Sequence, residues 1–243
     1  MDSSASDLRD TNRRFYEALW SDARLIAPER FNTWPLFDAL AAAAPRRLEV
    51  APGLRPRLPL AGTCFVDLSQ AALHRLRREG AAVAHAEIAA LPFPDGHFDL
   101  VCALDILEHV VDDTAALAEL ARVARADAAL LISVPLDPAA WTAFDDFVGH
   151  HRRYEPERIE AMLACHGWRI ERSAVYGMQP RSSRLLDLGQ WFLTHQRARA
   201  MWWYNRVFMP LGLRFQKPLT WRPGLGDTAG VDELLLVCRH GTA

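Results

Sequence analysis

Lysine is almost absent from this chain: Lys217 is the single one, and arginine supplies nearly all the other positive charge. With a formal net charge of −2 over 243 residues, no basic excess points to a nucleic acid, and none is expected as a partner. The lysine-poor, alanine-rich composition suggests a GC-rich bacterial genome. Cysteine is also scarce. Cys64, Cys102, Cys165 and Cys238 show no C-x-x-C spacing, and three of them lie in apolar segments, so buried free thiols there and a reducing, cytoplasmic compartment are expected. No apolar run approaches the roughly 18 residues of a membrane span. The opening M-D-S-S-A-S-D-L-R-D lacks the apolar stretch of a secretory signal.

What the chain does have is one domain's worth of length with half its residues apolar, enough to bury a substantial core. Asn12 to Ile26 reads as an amphipathic helix with Phe15, Leu19 and Trp20 on one side. A second helix runs from Pro28 to Ala44, bent or divided at Pro35. From Arg47 the period changes, and short strand-like runs alternate with helical segments, the sign of βαβ units and a parallel sheet. Strands are expected near Arg47–Val50, Thr63–Asp67, Val83–Glu87, Leu100–Ala103, Ala129–Val134, Trp168–Tyr176 and Glu233–Arg239. Helices are expected at Leu68–Glu79, at Thr114–Arg125 with Asp113 as N-cap, and at Glu155–His166. Residues 177–228 form a long insert, rich in tryptophan and arginine.

Acids close several of these strands in turn. In an open parallel sheet ligands bind beyond the carboxyl ends of the strands, so the acids gather around one crevice and suit a ligand rich in hydroxyls and amines. The order runs Glu49-Val50-Ala51-Pro52-Gly53, then F-V-D-L-S with Asp67 eighteen residues after Glu49, then Glu87-Ile88 twenty further on. Phe98 to Val110, F-D-L-V-C-A-L-D-I-L-E-H-V, completes the series.

Together these motifs resemble class I S-adenosylmethionine-dependent methyltransferases, especially the group containing the ubiquinone-biosynthetic O-methyltransferases. The resemblance covers roughly Arg47 to Tyr176 and implies a Rossmann-like α/β sheet, mostly parallel with its last strand antiparallel. Helices would cover both faces, residues 1–45 would form an N-terminal helical extension or lid, and 46–243 the methyltransferase domain. It further implies S-adenosyl-L-methionine as cofactor, with Asp67 and Leu68 at the ribose and Glu87 and Ile88 at the adenine. Glu49, Ala51 and Gly53 would form the loop after the first strand, and Leu104 and Asp105 would line the methionyl part. His109, His150 and His151 are candidate bases. Asp146, Arg153 and Tyr154, in the D-D-F-V-G-H-H-R-R-Y run, are candidate contacts to a small-molecule acceptor. The alternative for this run is a loop knitted by Asp–Arg pairs.

The chain departs from the family pattern in the first loop, where Ala51 and Arg55 replace glycines and Pro52, Pro56 and Pro59 oppose the first crossover helix. Arg55 or Arg57 is expected to meet the cofactor carboxylate instead. No metal is expected, because His150 and His151 are adjacent and no i, i+4 histidine pair occurs. For the insert, an aromatic core under a basic face is preferred over peripheral membrane contact. The expected activity is methyl transfer to an oxygen, nitrogen or carbon nucleophile of a small, hydrophobic acceptor. The alternative is a noncatalytic binding or scaffold protein on the same fold.

Overall fold

A computed structural model describes residues 16, 17, 19–21, 23–177, 191, 192 and 195–241. The chain forms β1 (Arg47–Val50), β2 (Thr63–Asp67), β3 (Ala82–His85), β4 (Phe98–Leu104), β5 (Ala124–Pro135), β6 (Trp168–Val175), β7 (Arg222–Pro223) and β8 (Glu233–His240). Its helices are α1 (Trp34–Ala43), α2 (Gln70–Arg78), α3 (Asp113–Val123), α4 (Ala143–Val148), α5 (Pro156–Cys165), α6 (Arg197–Trp203) and α7 (Met209–Arg214). One sheet has the order β3-β2-β1-β4-β5-β8-β6-β7. Strands β1 to β5 pair in parallel, and β8 runs antiparallel between β5 and β6, as the sequence implied.

The apolar layers follow from strand alternation. Leu48, Val66, Val101, Leu130, Ile132 and Leu236 pack against Leu117 and Leu120 of α3 and Ile159 and Leu163 of α5. On the other face, Leu100, Cys102, Leu131 and Leu235 meet Phe37 and Ala41 of α1, while Phe65 meets Leu76 of α2. Arg47 secures α1 from below, donating to the carbonyls of Ala41 at 2.9 Å and Ala44 at 3.0 Å. A guanidinium there satisfies carbonyls left over at the helix end and opposes its partial negative charge.

Several boundaries differ from expectation for local reasons. Residues 16, 17 and 19–21 are helical, but 23–27 are not: Pro28 disfavours helix before it, and the amide of Ile26 donates to Leu54 O at 3.0 Å instead. The expected positions 12–15 lie outside the described residues. The second helix is divided at Phe31–Thr33 into a 3-10 turn, Pro28–Arg30, and α1, and Pro35 sits in the first turn of α1 rather than at the break. The N-cap of α3 is Asp112 rather than Asp113, since the Asp112 carboxylate accepts from Ala115 N at 2.9 Å.

Residues 51–62, all described, carry no helix, so the proline-rich first crossover is an irregular loop. Leu54 and Leu58 fill the space beneath it and are almost wholly buried. Gly53 has φ +54°, and a Cβ there would lie 2.2 Å from the Trp20 ring.

The insert lies partly outside the described residues, at 178–190, 193 and 194. Its described part runs through α6, a π-helical stretch Tyr204–Phe208, and α7. Met209 and Leu213 pack on Phe31, as the aromatic-core reading expects. Trp202, Trp203, Phe208, Leu211 and Phe215 instead face outward, contrary to that reading. No helix among the described residues is long and apolar enough to cross a membrane.

Gly53→Ala combines a left-handed backbone, costing about 1–2 kcal/mol for a side chain, with displacement of Trp20. Gly80, at φ +86° with open space around its missing Cβ, carries the backbone cost alone. Thermal unfolding should therefore show a clearly larger loss for Gly53→Ala than for Gly80→Ala; equal losses would mean that the Trp20 contact carries no weight.

Candidate active site

The carboxyl ends of β1, β2 and β4 and the segment after β3 surround a cavity of about 460 Å³. Its wall includes Glu49, Ala51, Asp67, Leu68, Glu87, Ile88, Leu104, Asp105 and His109, so nearly all the expected cofactor residues converge. Gly53 is the exception. It does not line the cavity, because Trp20 occupies the space over it and its amide is turned to Asp67.

Asp67 is oriented by backbone. Its Oδ2 accepts from Gly53 N at 2.9 Å and its Oδ1 from Ser69 N at 2.8 Å, which leaves further lone pairs on both oxygens. Burial raises its pKa despite these bonds. Glu87 is exposed at the rim, and Ile88 is buried beside it. Ala51, at φ +55°, holds without glycine the left-handed backbone of the first loop.

Glu49 has a different setting. Its carboxylate accepts from Arg57 N at 2.8 and 3.1 Å and from Leu58 N at 2.8 Å, pulling the loop after β1 back onto the sheet. Burial lifts its pKa from 4.5 to about 7, against the lowering effect of those amides and of the Arg57 charge.

At the end of β4, Asp105 adopts φ +50° and exchanges hydrogen bonds with Ser133, whose hydroxyl accepts from Asp105 N at 2.9 Å and donates to its carboxylate. Glu233, at the start of β8, is half-buried beside Asp105. Burial first, then the neighbouring Asp105 charge, pushes its pKa well above the carboxylate range.

Of the three candidate bases, His109 alone is on the cavity wall. Its Nε2 lies 3.2 Å from the Tyr16 hydroxyl, and burial, reinforced by His150, lowers its pKa to about 3. His150 is held away by Asp145, with Nδ1 2.8 Å from Oδ1. The backbone amide of His151 donates to Glu108 O at 2.7 Å, and its side chain is not among the cavity residues.

The expected acceptor contacts also sit elsewhere. Arg153 is buried and donates to both oxygens of Asp145, at 3.0 and 3.1 Å. Tyr154 is fully buried, its hydroxyl donating to Asp113 at 3.0 Å. Asp146 is exposed and accepts from Trp141 Nε1 at 3.1 Å. With Arg152 paired to Asp113, the charged side chains Arg152 and Arg153 are engaged within the protein, while Val148 of the run reaches the cavity wall. Hydrogen bonds from His150, Arg153 and Thr142 outweigh burial and hold the Asp145 carboxyl below its usual range.

Arg55 and Arg57, the arginines expected to turn toward the cofactor, line the wall, and Tyr16, Trp20 and Tyr204, not named as site residues from the sequence, join them. The Arg55 guanidinium lies 5.2 Å from the Trp20 ring centroid and 5.1 Å from that of Tyr204, bridging the N-terminal segment and the insert. Arg57 lies 3.5 Å over Phe31. Both arginines therefore meet aromatic rings, so an anionic ligand group is not needed to explain their positions. The expected N-terminal lid, the stripe containing Trp20 and the M-W-W-Y run were the sequence signs of such a wall.

The architecture is that of the Rossmann-like class I methyltransferases. Residues 51–132 match the family model described as a methyltransferase domain. A Mycolicibacterium smegmatis protein named as an S-adenosylmethionine-dependent methyltransferase is 28% identical over 101 residues, which is 40% of this chain. The match spans only 38% of that relative's length. Among solved structures, a Galdieria sulphuraria protein described as a sarcosine dimethylglycine methyltransferase aligns with a TM-score of 0.58 at 13% identity, over 96% of this chain and 97% of its own. The cyclase SpnF aligns at 0.54 with 17% identity, over 86% of this chain and 81% of its own. The resemblance read from the sequence thus holds for the fold and for the methyltransferase domain at 51–132.

The raised Glu49 pKa has a defined sign. The folded state holds this proton more tightly than the unfolded chain, so its contribution is full below pH 4.5 and is lost as pH rises through 7. Between pH 5 and pH 8, wild type should lose stability relative to Glu49→Gln by on the order of 2 kcal/mol. Denaturant melts of both proteins at the two pH values measure this, and parallel pH profiles would show that Glu49 titrates normally.

Proposed function

We propose that this chain is an S-adenosyl-L-methionine-dependent methyltransferase acting on a small-molecule acceptor. The observation that carries the reading is the convergence of Asp67, Glu87 and Asp105 on one cavity at the carboxyl edge of a parallel sheet. The cofactor brings a ribose diol, an adenine amine and two cationic centres, and the donor set fits it. Asp67 has lone pairs left for a pair of hydroxyls, and Glu87 stands beside the apolar Ile88. Asp105, paired with Ser133 and next to Glu233, offers a carboxylate toward cationic groups. At about 460 Å³ the cavity also falls in the range of small-molecule sites.

The cofactor supplies an activated methyl group on a sulfonium. The protein's own part is then alignment and water exclusion, effects that can contribute roughly 7–11 kcal/mol. Tyr16, Trp20 and Tyr204 serve the second role, closing the cavity from the N-terminal segment and the insert in the manner of a lid. His109 faces the acceptor, while His150 and His151 stand behind it. SpnF is a reminder that this fold also carries other chemistry, so the reading rests on the acids rather than on the architecture.

Calorimetry with S-adenosylhomocysteine tests the reading. The wild type should bind, and Asp67→Ala should bind at least about tenfold more weakly, since each charge-assisted hydrogen bond contributes about 1.5–3 kcal/mol. Asp67→Asn, which keeps the shape, should fall between them. Absence of binding by the folded wild type would move the assignment to a noncatalytic binding protein on this fold.

A further inference from the structure

The fold brings together three side chains that the sequence keeps apart. Glu108 and His109 follow β4, and His150 follows α4. One ligand-capable atom from each lies within 4.8 Å of the other two. The expectation of no metal considered His150 with its neighbour His151; in space its companions are Glu108 and His109. The His109 and His150 rings are 4.5 Å apart, and His150 Nε2 is 3.9 Å from Glu108 Oε1.

Two further observations point to a ligand. Glu108 is 2% exposed, and its Oε2 has no hydrogen-bond partner among the described residues. A buried carboxylate oxygen without a donor is costly and calls for a positive partner. His150 also has the outer arrangement of a metal-binding histidine: its Nδ1 pairs with Asp145 at 2.8 Å, which leaves Nε2 directed to Glu108. Metal-bound imidazoles characteristically donate their second nitrogen to a carboxylate, and Asp145 is itself held by Arg153 and Thr142.

We propose that Glu108, His109 and His150 bind one divalent transition-metal ion of the zinc type beside the cavity. Two imidazoles and one carboxylate are the donor set such ions favour over the all-oxygen sets of magnesium or calcium. Ligand atoms about 2.0–2.2 Å from an ion lie closer together than 4.8 Å, so the side chains draw in slightly and the Tyr16 hydroxyl yields its place on His109. Three protein ligands leave a tetrahedral ion one open position, and His109 is the ligand on the cavity wall. On the methyl-transfer reading, that position holds the hydroxyl oxygen of the acceptor and eases loss of its proton to solvent. The oxygen then bonds the methyl carbon as the sulfonium S–C bond breaks and the neutral thioether leaves. The acceptor class is then a hydroxyl compound, with the ion rather than a free histidine assisting loss of the proton.

The test uses the chelator-treated full chain titrated with Co²⁺, followed by visible d–d absorption, with Zn²⁺ in competition. One ion per chain with intense tetrahedral-type bands, displaced by Zn²⁺, is expected. Glu108→Gln and His150→Gln should each weaken binding at least about tenfold, Asp145→Asn by about 10- to 100-fold, and His151→Gln should leave it unchanged. Thermal unfolding of each variant confirms that it is folded. Weak, aquo-like spectra, or equal affinity in wild type and folded variants, would overturn the site. The outcome is separable from S-adenosylhomocysteine binding: cobalt binding without nucleoside binding removes the methyl-transfer role and leaves the metal site standing.

Discussion

Two buried carboxylates take the place of a helix. Between β1 and β2 the chain has too many prolines to form the usual crossover helix, so its backbone donors must find other acceptors. Glu49 takes the amides of Arg57 and Leu58, and Asp67 takes that of Gly53. These bonds hold the loop flat on the end of the sheet and drive Leu54 and Leu58 into the core. The collapsed loop in turn gives Trp20 a seat over Gly53, and Arg55 can then bridge Trp20 and Tyr204. The aromatic wall of the cavity therefore depends on acids that never touch it through a side-chain pair.

The strands were legible because their apolar residues alternate or run continuously and because acids mark their ends. β1 and β2 fall at the expected residues, and Pro52, Pro56 and Pro59 foretold the missing helix. Caps were less legible: Asp112 and Asp113 are equally good acceptors in sequence, and only the geometry of the turn selects Asp112. Long-range partners left the weakest trace. Nothing local says that Trp20 covers Gly53, or that His150 turns to Asp145 and toward Glu108. Glu233 carries a usable sign, an acid opening the Leu- and Val-rich run of the final strand.

The knitted loop after β5 shows why a chemically rich motif need not be an open site. Arg153 and Tyr154 carry groups suited to ligand binding, yet both are buried, with partners that satisfy them. Removing a polar group from water costs free energy unless it is hydrogen-bonded, so such residues are saturated by the fold before any ligand arrives. Their contribution is to fix Asp145 and Asp113, and through Asp145 the orientation of His150.

The same reasoning separates the strand-end acids from one another. Glu49 stands opposite Phe65 in the register, and Asp67 lies two residues beyond Phe65 on the same face of the sheet. At roughly 3.3 Å per residue that is about 6.6 Å toward the carboxyl edge. Glu49 consequently lies between Phe65 and Cys102, beneath α1, where burial favours its neutral form and backbone amides occupy its oxygens. Asp67 is the last residue of β2, still paired in register with His85, and takes the amides of Gly53 and Ser69. Both acids reach the cavity wall, yet a displacement of one residue pair along the strand direction gives Glu49 the amides of the following loop and sets Asp67 at the strand end.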